Sequence, residues 1–148
     1  DIGRESMTIS EILANNHHGV FTANPDESVG EVVTRLAEHR IGALPVVDGA
    51  DVVGIFSERD IVYGIAKHGA AFLAKTVRET MTAPAITVSS DTAIMSGLSL
   101  MTKRRIRHLP VVEDGSLTGF VSIGDLVKHR IEKIEAEAAA MRDYIQMA

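Results

Sequence analysis

An internal repeat runs through most of this sequence and limits the folds open to it. The segment GIFSERDIV at residues 54–62 returns 65 residues later as GFVSIGDLV at residues 119–127. With that shift and no gap, residues 22–62 and 87–127 are identical at 12 of 41 positions. Chance would give about three identities for chains of ordinary composition. The chain is therefore predicted to consist of two similar units in tandem.

The repeat also sets the domain boundaries. Upstream of the main match, TISEIL at residues 8–13 resembles TVRETM at residues 76–81. We therefore predict one unit over residues 8–68 and a second over 76–130, with residues 131–148 as a helical extension.

Both repeats show the same order of local patterns. A start signal at Asp26–Ser28 precedes apolar residues at helical spacing from Val29, and SSDT precedes a similar stretch from Ile94. The β-branched runs ALPVVD and HLPVVE are each followed by turn residues and a second apolar run, as in a strand pair. A further helix then begins after Ser57 or Ser122, and a short extended stretch precedes the first helix of each repeat. This order predicts an α/β (α+β) fold in which each unit is a small sheet covered by helices. Because one unit has too little core to stand alone, we expect the two to pack about a pseudo-twofold axis.

Composition excludes several classes of function. The 148 residues include no cysteine, which excludes disulfides and thiol nucleophiles and leads us to expect a reducing, cytoplasmic location. No apolar run approaches the roughly 20 residues of a membrane helix, so we expect no membrane partner. The net charge of -5 and only six aromatic residues, all Phe or Tyr, argue against a nucleic-acid partner. His17 and His18 are adjacent, a spacing that does not direct two ligands at one ion, so no metal is predicted.

The repeated motifs resemble the tandem CBS domain pair, the Bateman module named after cystathionine beta-synthase. The likeness is carried by RIGALPVVD with GIFSERDIV, and by RIRHLPVVE with GFVSIGDLV. It implies a stand-alone regulatory module that senses an adenosine nucleotide (AMP, ADP or ATP, or NAD(H)) in the cleft between the units and signals to an unknown protein. The alternative is a structural or oligomerisation module with no physiological nucleotide. No nucleophile with a base at a recognisable spacing is present, so we do not expect an enzyme.

The repeated Ser-x-x-Asp has two interpretations. Ser57 with Asp60, and Ser122 with Asp125, match helix capping boxes. By resemblance, the two aspartates instead bind the ribose hydroxyls of the ligand while the serines and exposed N–H groups face phosphate. Glycines 54 and 119 either let a ligand approach the backbone or accommodate a turn or bulge.

The residues that differ between the repeats predict unequal sites. RIRHLP supplies Arg107 and His108 where the first repeat has Gly42 and Ala43. By resemblance these two cations are phosphate candidates, with Arg59 as a third, and they favour phosphates over S-adenosylmethionine. The alternative for KRRIRH is a solvated helix end, where cations are favourable.

Four further residues are weaker binding candidates. Ile41 and Ile106 either sandwich an adenine or belong to the core. Thr22 and Thr87, taken to lie at the start of the first helix of each repeat, either touch base or ribose or simply cap that helix.

The last helix is predicted to continue well beyond the repeats. Apolar residues recur from Leu126 to Ile145 at spacings of three, four and seven. Three surfaces could cover this stripe: its own module, another copy of the chain, or a helix of a partner protein. We expect a homodimer, mainly by resemblance. The small residues Gly64, Gly69, Ala70 and Ala71 suit either close packing at an interface or a helix followed by a linker.

Overall fold

The computed structural model describes residues 7–15 and 19–147; residues 1–6, 16–18 and 148, among them His17 and His18, lie outside the described chain. The elements in chain order are α1 (Ile9–Asn15), α2 (Val29–His39), β1 (Ala43–Asp48), β2 (Asp51–Ser57), α3 (Glu58–His68), a 3-10 helix (Gly69–Ala74), α4 (Val77–Thr80), α5 (Ile94–Arg104), β3 (His108–Glu113), β4 (Ser116–Ser122) and α6 (Ile123–Met147). The predicted α/β (α+β) class is confirmed, with two small antiparallel sheets, covering helices and a long C-terminal helix.

Each sheet is a strand pair extended by the segment that precedes the first helix of the repeat. The first pair, β1 with β2, is antiparallel and has an irregularity between Val46 and Val47. Ala23 N–H donates to the carbonyl of Pro45 at 3.1 Å, and Val47 N–H donates to the carbonyl of Ala23 at 2.9 Å. The second repeat has the same pattern, with Val88 hydrogen-bonded to β3 at Pro110 and Val112. The extended stretches predicted before the helices therefore add a short parallel bridge to each strand pair.

Helix α2 begins at a capped serine rather than at Thr22. Ser28 accepts a hydrogen bond from Glu31 N–H at 3.2 Å, and the helix buries Val29, Val32 and Leu36. The cap interpretation of Thr22 is wrong, because the chain from Ala23 onward first forms the parallel bridge and a turn. The same correction applies to Thr87, since α5 begins after Ala93.

Helix α3 packs closely against the 3-10 helix that follows it. Gly64 is buried, and a Cβ at this position would collide with the ring of Phe72. At Gly64 the close packing is therefore between two helices of the same chain, and not at an interface between copies. Phe72, only 2% exposed, joins the core that α2, β1 and β2 form.

The described chain divides into two compact units that are not contiguous in sequence. One contains residues 19–88 and 110–120; the other contains residues 7–15, 89–109 and 121–147. In the second unit Ile9 is fully buried and its N–H donates to Thr92 O at 3.0 Å. Helix α1 thus packs with α6, which begins more than a hundred residues later. The contiguous boundaries 8–68, 76–130 and 131–148 remain a prediction about the repeats.

No helix in residues 7–15 and 19–147 combines the length and apolar character needed to span a membrane.

Candidate functional site

The first copy of the Ser-x-x-Asp motif caps α3. Asp60 Oδ2 accepts hydrogen bonds from the backbone N–H of Ser57 at 2.9 Å and from its hydroxyl at 3.2 Å. The N–H of Glu58 donates to the carbonyl of Gly42 at 3.0 Å, which ties the helix to the start of β1. A carboxylate is favoured here by the unpaired N–H groups and the helix dipole. The capping interpretation therefore describes the bonding of Asp60 Oδ2.

Thr82 engages the second oxygen of the same carboxylate. Its hydroxyl donates to Asp60 Oδ1 at 2.9 Å. Two backbone hydrogen bonds of 2.9 Å pair Thr82 with Ile55 of β2. Gly54 permits this approach, since a Cβ there would lie 2.6 Å from Met81 Sδ and 2.8 Å from Thr82 O. The sequence suggested that a ligand could approach the backbone at Gly54. In the structure Met81 and Thr82 of the same chain occupy that position.

The second copy caps α6 in a reciprocal manner. Ser122 N–H donates to Asp125 Oδ2 at 2.8 Å, and Asp125 N–H donates to Ser122 Oγ at 3.1 Å. Ile123 N–H donates to the carbonyl of Arg107 at 2.8 Å, the counterpart of the bond to Gly42. Asp125 is exposed, and within the described chain its Oδ1 accepts no hydrogen bond. The two copies therefore share the cap but differ in the availability of one carboxylate oxygen.

A pocket of about 210 Å³ adjoins this second motif within one compact unit. It is lined by Asp125, Lys128, His129 and Glu132 of α6 and by Ile12 and Asn15 of α1. His129 Nε2 lies 2.8 Å from Glu11 Oε2. The lining combines carboxylates with an ammonium and an amide, which lets it both accept and donate hydrogen bonds. A group rich in hydroxyls suits such a lining.

The predicted cations divide between the two units. Arg107 is exposed and His108 is half-buried, and both belong to the compact unit that contains Asp125. Arg59 is exposed on the first turn of α3, in the unit that contains Asp60. The residues at 103–105 are exposed at the end of α5, where Arg105 adopts a left-handed conformation with φ of 54°. That part of KRRIRH is the solvated helix end, whereas the phosphate roles of Arg107, His108 and Arg59 remain predictions.

The two isoleucines occupy equivalent positions just after a helix. Ile41 N–H donates to Leu36 O at 3.1 Å, and Ile106 N–H donates to Met101 O at 3.0 Å. Both side chains are half-buried, and Ile41 packs against the core of its unit. Ile41 therefore contributes to the core, and the adenine contact predicted for both residues remains a prediction.

A partly buried ion pair between Arg35 and Glu27 holds the segment that contains Thr22. Arg35 Nη2 lies 2.6 Å from Glu27 Oε2, and Arg35 Nη1 donates to Thr22 O at 2.9 Å. The hydrogen bond from Arg35 lowers the pKa of Glu27 below its ordinary value. Thr22 is half-buried here, whereas Thr87 is exposed. In the second repeat Thr92 and Leu100 replace this pair, so only the first repeat has it.

Sequence reasoning did not identify Thr82, Asn15, Lys128 or His129. Thr82 corresponds to Ala14 in the upstream alignment, so comparison of the repeats conceals it. Lys128 and His129 lie one turn from Asp125 on α6 itself, whereas Asn15 reaches the pocket because α1 packs beside α6. No three metal-ligating side chains cluster among residues 7–15 and 19–147.

Comparison with known families gives a match to one family model. The model of the CBS domain matches twice, at residues 5–67 and 77–132. A CBS domain-containing mitochondrial protein of Arabidopsis thaliana is 33% identical over 153 aligned residues, covering 97% of this chain and 74% of that protein. An uncharacterised Methanopyrus kandleri protein is 32% identical, over 83% of this chain and 62% of its own length. Inosine-5'-monophosphate dehydrogenase of Methanocaldococcus jannaschii is 34% identical over 113 residues, which span only 22% of that enzyme.

Solved structures give the same result. A CBS-domain containing protein from Agrobacterium tumefaciens matches with a TM-score of 0.79 and 40% identity, over 83% of this chain and 98% of that one. The CBS domain pair of protein MJ0100, solved with 5'-methylthioadenosine and S-adenosylmethionine, matches with a TM-score of 0.75 and 30% identity, over 85% and 97% of the two chains. The protein CBSX2, solved with AMP, matches with a TM-score of 0.72 and 25% identity, over 84% and 96%. With two matched domains, a shared fold and the repeated motifs in their expected places, this chain belongs to the CBS domain family as a tandem pair.

Proposed function

We propose that this chain is a regulatory module that binds an adenosine nucleotide at the second Ser-x-x-Asp motif. The observation that carries the proposal is that Asp125 Oδ1 accepts no hydrogen bond from a described residue and belongs to an exposed side chain that lines a pocket of about 210 Å³. A ribose offers two adjacent hydroxyls that such a carboxylate can accept. The pocket is smaller than the roughly 300–1,000 Å³ of sites for drug-sized ligands, which suits the ribose part of a nucleotide. Related pairs crystallised with AMP or with S-adenosylmethionine support an adenosine ligand.

Local charge favours a phosphate-bearing ligand. Arg107, His108 and Lys128 belong to the same compact unit as Asp125. Cations attract phosphate and oppose the sulfonium of S-adenosylmethionine. AMP, ADP, ATP and NAD(H) are therefore the preferred ligands, with Ser122 and Ile106 as further contacts.

The first motif is the weaker site. Asp60 would have to release Thr82 before it could accept a ribose hydroxyl, and breaking that hydrogen bond opposes binding. This observation favours the alternative, a purely structural role, for Ser57 and Asp60. If a ligand does bind at the first motif, we expect Arg59, Ile41 and Thr22 to contact it. In the second repeat we expect Thr87 to contact the ligand bound beside Asp125.

The response passes to a partner protein by linkage. A nucleotide that binds one conformation better than another shifts the population toward it, and the affinity for the partner changes by the same free energy. We propose that the module acts without turning over its ligand, as a homodimer in a reducing compartment such as the cytoplasm. The chain spans 74% and 62% of the length of the first two curated relatives that it matches.

The test is the thermal midpoint of the purified protein with AMP, ADP, ATP, NAD(H) and S-adenosylmethionine. A ligand at about 100 times its dissociation constant stabilises the folded state by roughly 2.7 kcal/mol. We expect Asp125→Asn to abolish the rise in midpoint and Asp60→Asn to retain most of it. Ser28→Ala is the control, since it removes a helix-capping hydroxyl in the other compact unit and leaves the proposed site unaltered.

Two results would count against this function. If no ligand raises the midpoint of the unaltered protein, the structural alternative is favoured. If chromatography finds the bound nucleotide converted to products, the module is an enzyme instead.

A further inference from the structure

Helix α6 carries an exposed apolar seam with a strict heptad spacing. Its members are Val127, Ile131, Ile134, Ala138, Met141 and Ile145, separated by four, three, four, three and four residues. The four largest side chains beyond Val127 are exposed by 49% (Ile131), 47% (Ile134), 59% (Met141) and 64% (Ile145). Apolar side chains arranged in this way on one helix are stabilised by covering with another surface.

The spacing favours a second helix rather than the protein's own core. A helix that docks on its own domain usually shows a wide apolar face, whereas a two-stranded coiled coil needs only the narrow a and d seam. With Ile131 at position a, the flanking e positions are Lys128, Glu135 and Arg142, and the g positions include Arg130 and Glu137. Charged residues therefore border the seam on both sides. Position a carries Ile131, Ala138 and Ile145, and position d carries Val127, Ile134 and Met141.

The signs of these charges identify the partner and its direction. In a parallel, in-register pair, each g residue faces the e residue five positions later on the other helix. Arg130 then faces Glu135, and Glu137 faces Arg142, so both contacts join opposite charges. In the antiparallel arrangement with the same core, e faces e and g faces g. Glu135 would meet Glu135, and Glu137 would meet Glu137, which is unfavourable.

We propose that residues 127–147 of α6 pair with the same helix of a second copy as a parallel two-stranded coiled coil. The six seam side chains do not line the pocket beside Asp125, although Lys128, His129 and Glu132 of the same helix do. The proposal adds to the expected homodimer the surface that forms it and the direction of its helices.

Charge reversal in the full chain tests the pairing. Glu137→Arg places arginine opposite Arg142 of the other copy, and Arg142→Glu places glutamate opposite Glu137. At low ionic strength we expect each variant to raise the dimer dissociation constant roughly three- to tenfold, measured by analytical ultracentrifugation. The double variant restores opposite charges and should return to within about twofold of the original value. Single variants that dimerise as tightly as the unaltered chain, or an unaltered chain that stays monomeric, would overturn the proposal.

Thiol crosslinking tests the direction, because the chain contains no cysteine. Met141→Cys at a d position should crosslink to itself with a short bis-maleimide only when the helices are parallel and in register. Ala136→Cys, at the outward f position, is the matched control and should stay uncrosslinked. Equal crosslinking of the two variants, or none of Met141→Cys, contradicts the parallel arrangement.

A last variant separates this proposal from nucleotide binding. Ile134→Asp places a charge in the seam and should yield a monomer that keeps the thermal response of the unaltered chain to nucleotide. An Ile134→Asp protein that remains dimeric contradicts the coiled coil. An unaltered chain whose thermal midpoint does not respond to nucleotide contradicts only the proposed function.

Discussion

At the scale of single residues, Gly54 decides whether Thr82 can reach Asp60. A Cβ at Gly54 would lie 2.8 Å from the carbonyl of Thr82, and backbone cannot yield as a flexible side chain can. We expect Gly54→Ala to destabilise the protein by roughly 1–3 kcal/mol, as overpacking usually does. Urea unfolding measures the change.

Gly42→Ala is the control for that substitution. A Cβ at Gly42 would lie 3.3 Å from Glu58 Oε1, the end of a mobile side chain. The second repeat has Arg107 at the equivalent position. We expect a loss of less than about 1 kcal/mol, and equal losses for both alanines would mean that the Met81–Thr82 contact does not govern the effect.

The Glu27 carboxylate should make stability depend on pH. Its pKa is lowered in the folded protein by the hydrogen bond from Arg35. The unfolded value is about 4.3, so the stabilisation is complete above that pH and is lost as the pH falls through the lower folded value. Because the pair is partly exposed, we expect Glu27→Gln to cost about 1 kcal/mol or less at pH 7. Denaturation of both proteins between pH 7 and 3 should give curves that converge in acid; a constant difference would assign the loss to packing.

At the scale of elements, α1 stabilises a unit whose other members come from the second half of the chain. Ile9 is fully buried, and Gly97 lies where a Cβ would be 3.6 Å from the Ile9 side chain and 3.0 Å from that of Leu126. We expect Ile9→Ala to reduce the free energy of unfolding by about 2–5 kcal/mol. Chemical denaturation with fluorescence of an added environment-sensitive dye provides the measurement.

Ile65→Ala serves as the comparison, because Ile65 lies in a helix of the other unit and is 40% exposed. A loss of about 1 kcal/mol or less is expected there. Similar losses for Ile9 and Ile65 would contradict the docking of α1.

The elements themselves could be predicted from local pattern. ALPVVD and HLPVVE coincide with β1 and β3, since β-branched runs ended by turn residues specify strands without distant help. Ser28 begins α2 as the start signal indicates. The 3-10 helix could not be read in the same way, because it depends on the packing of Phe72 against Gly64, which no local pattern records.

At the scale of the whole molecule, the sequence located the motifs but not their surroundings. Symmetry of the repeats identified Asp60 and Asp125 as equivalent, and their caps are indeed alike. The Oδ1 atoms of the two aspartates differ in their bonding. Thr82, from a distant segment, donates to Asp60 Oδ1, whereas the residue equivalent to Thr82 in the other repeat is Ala14, which has no hydroxyl. Repeat comparison finds what two copies share, and the difference between them depends on tertiary structure.

The packing of α1 with α5 and α6 also has a consequence for synthesis. Helix α1 leaves the ribosome before its partner Thr92, which follows 83 residues after Ile9, and α6 comes later still. At about 20 residues per second, that interval is roughly four seconds or more. During that interval the Ile9 side chain stays exposed to water, so the second unit is completed only after residues 89–109 and 121–147 have been made.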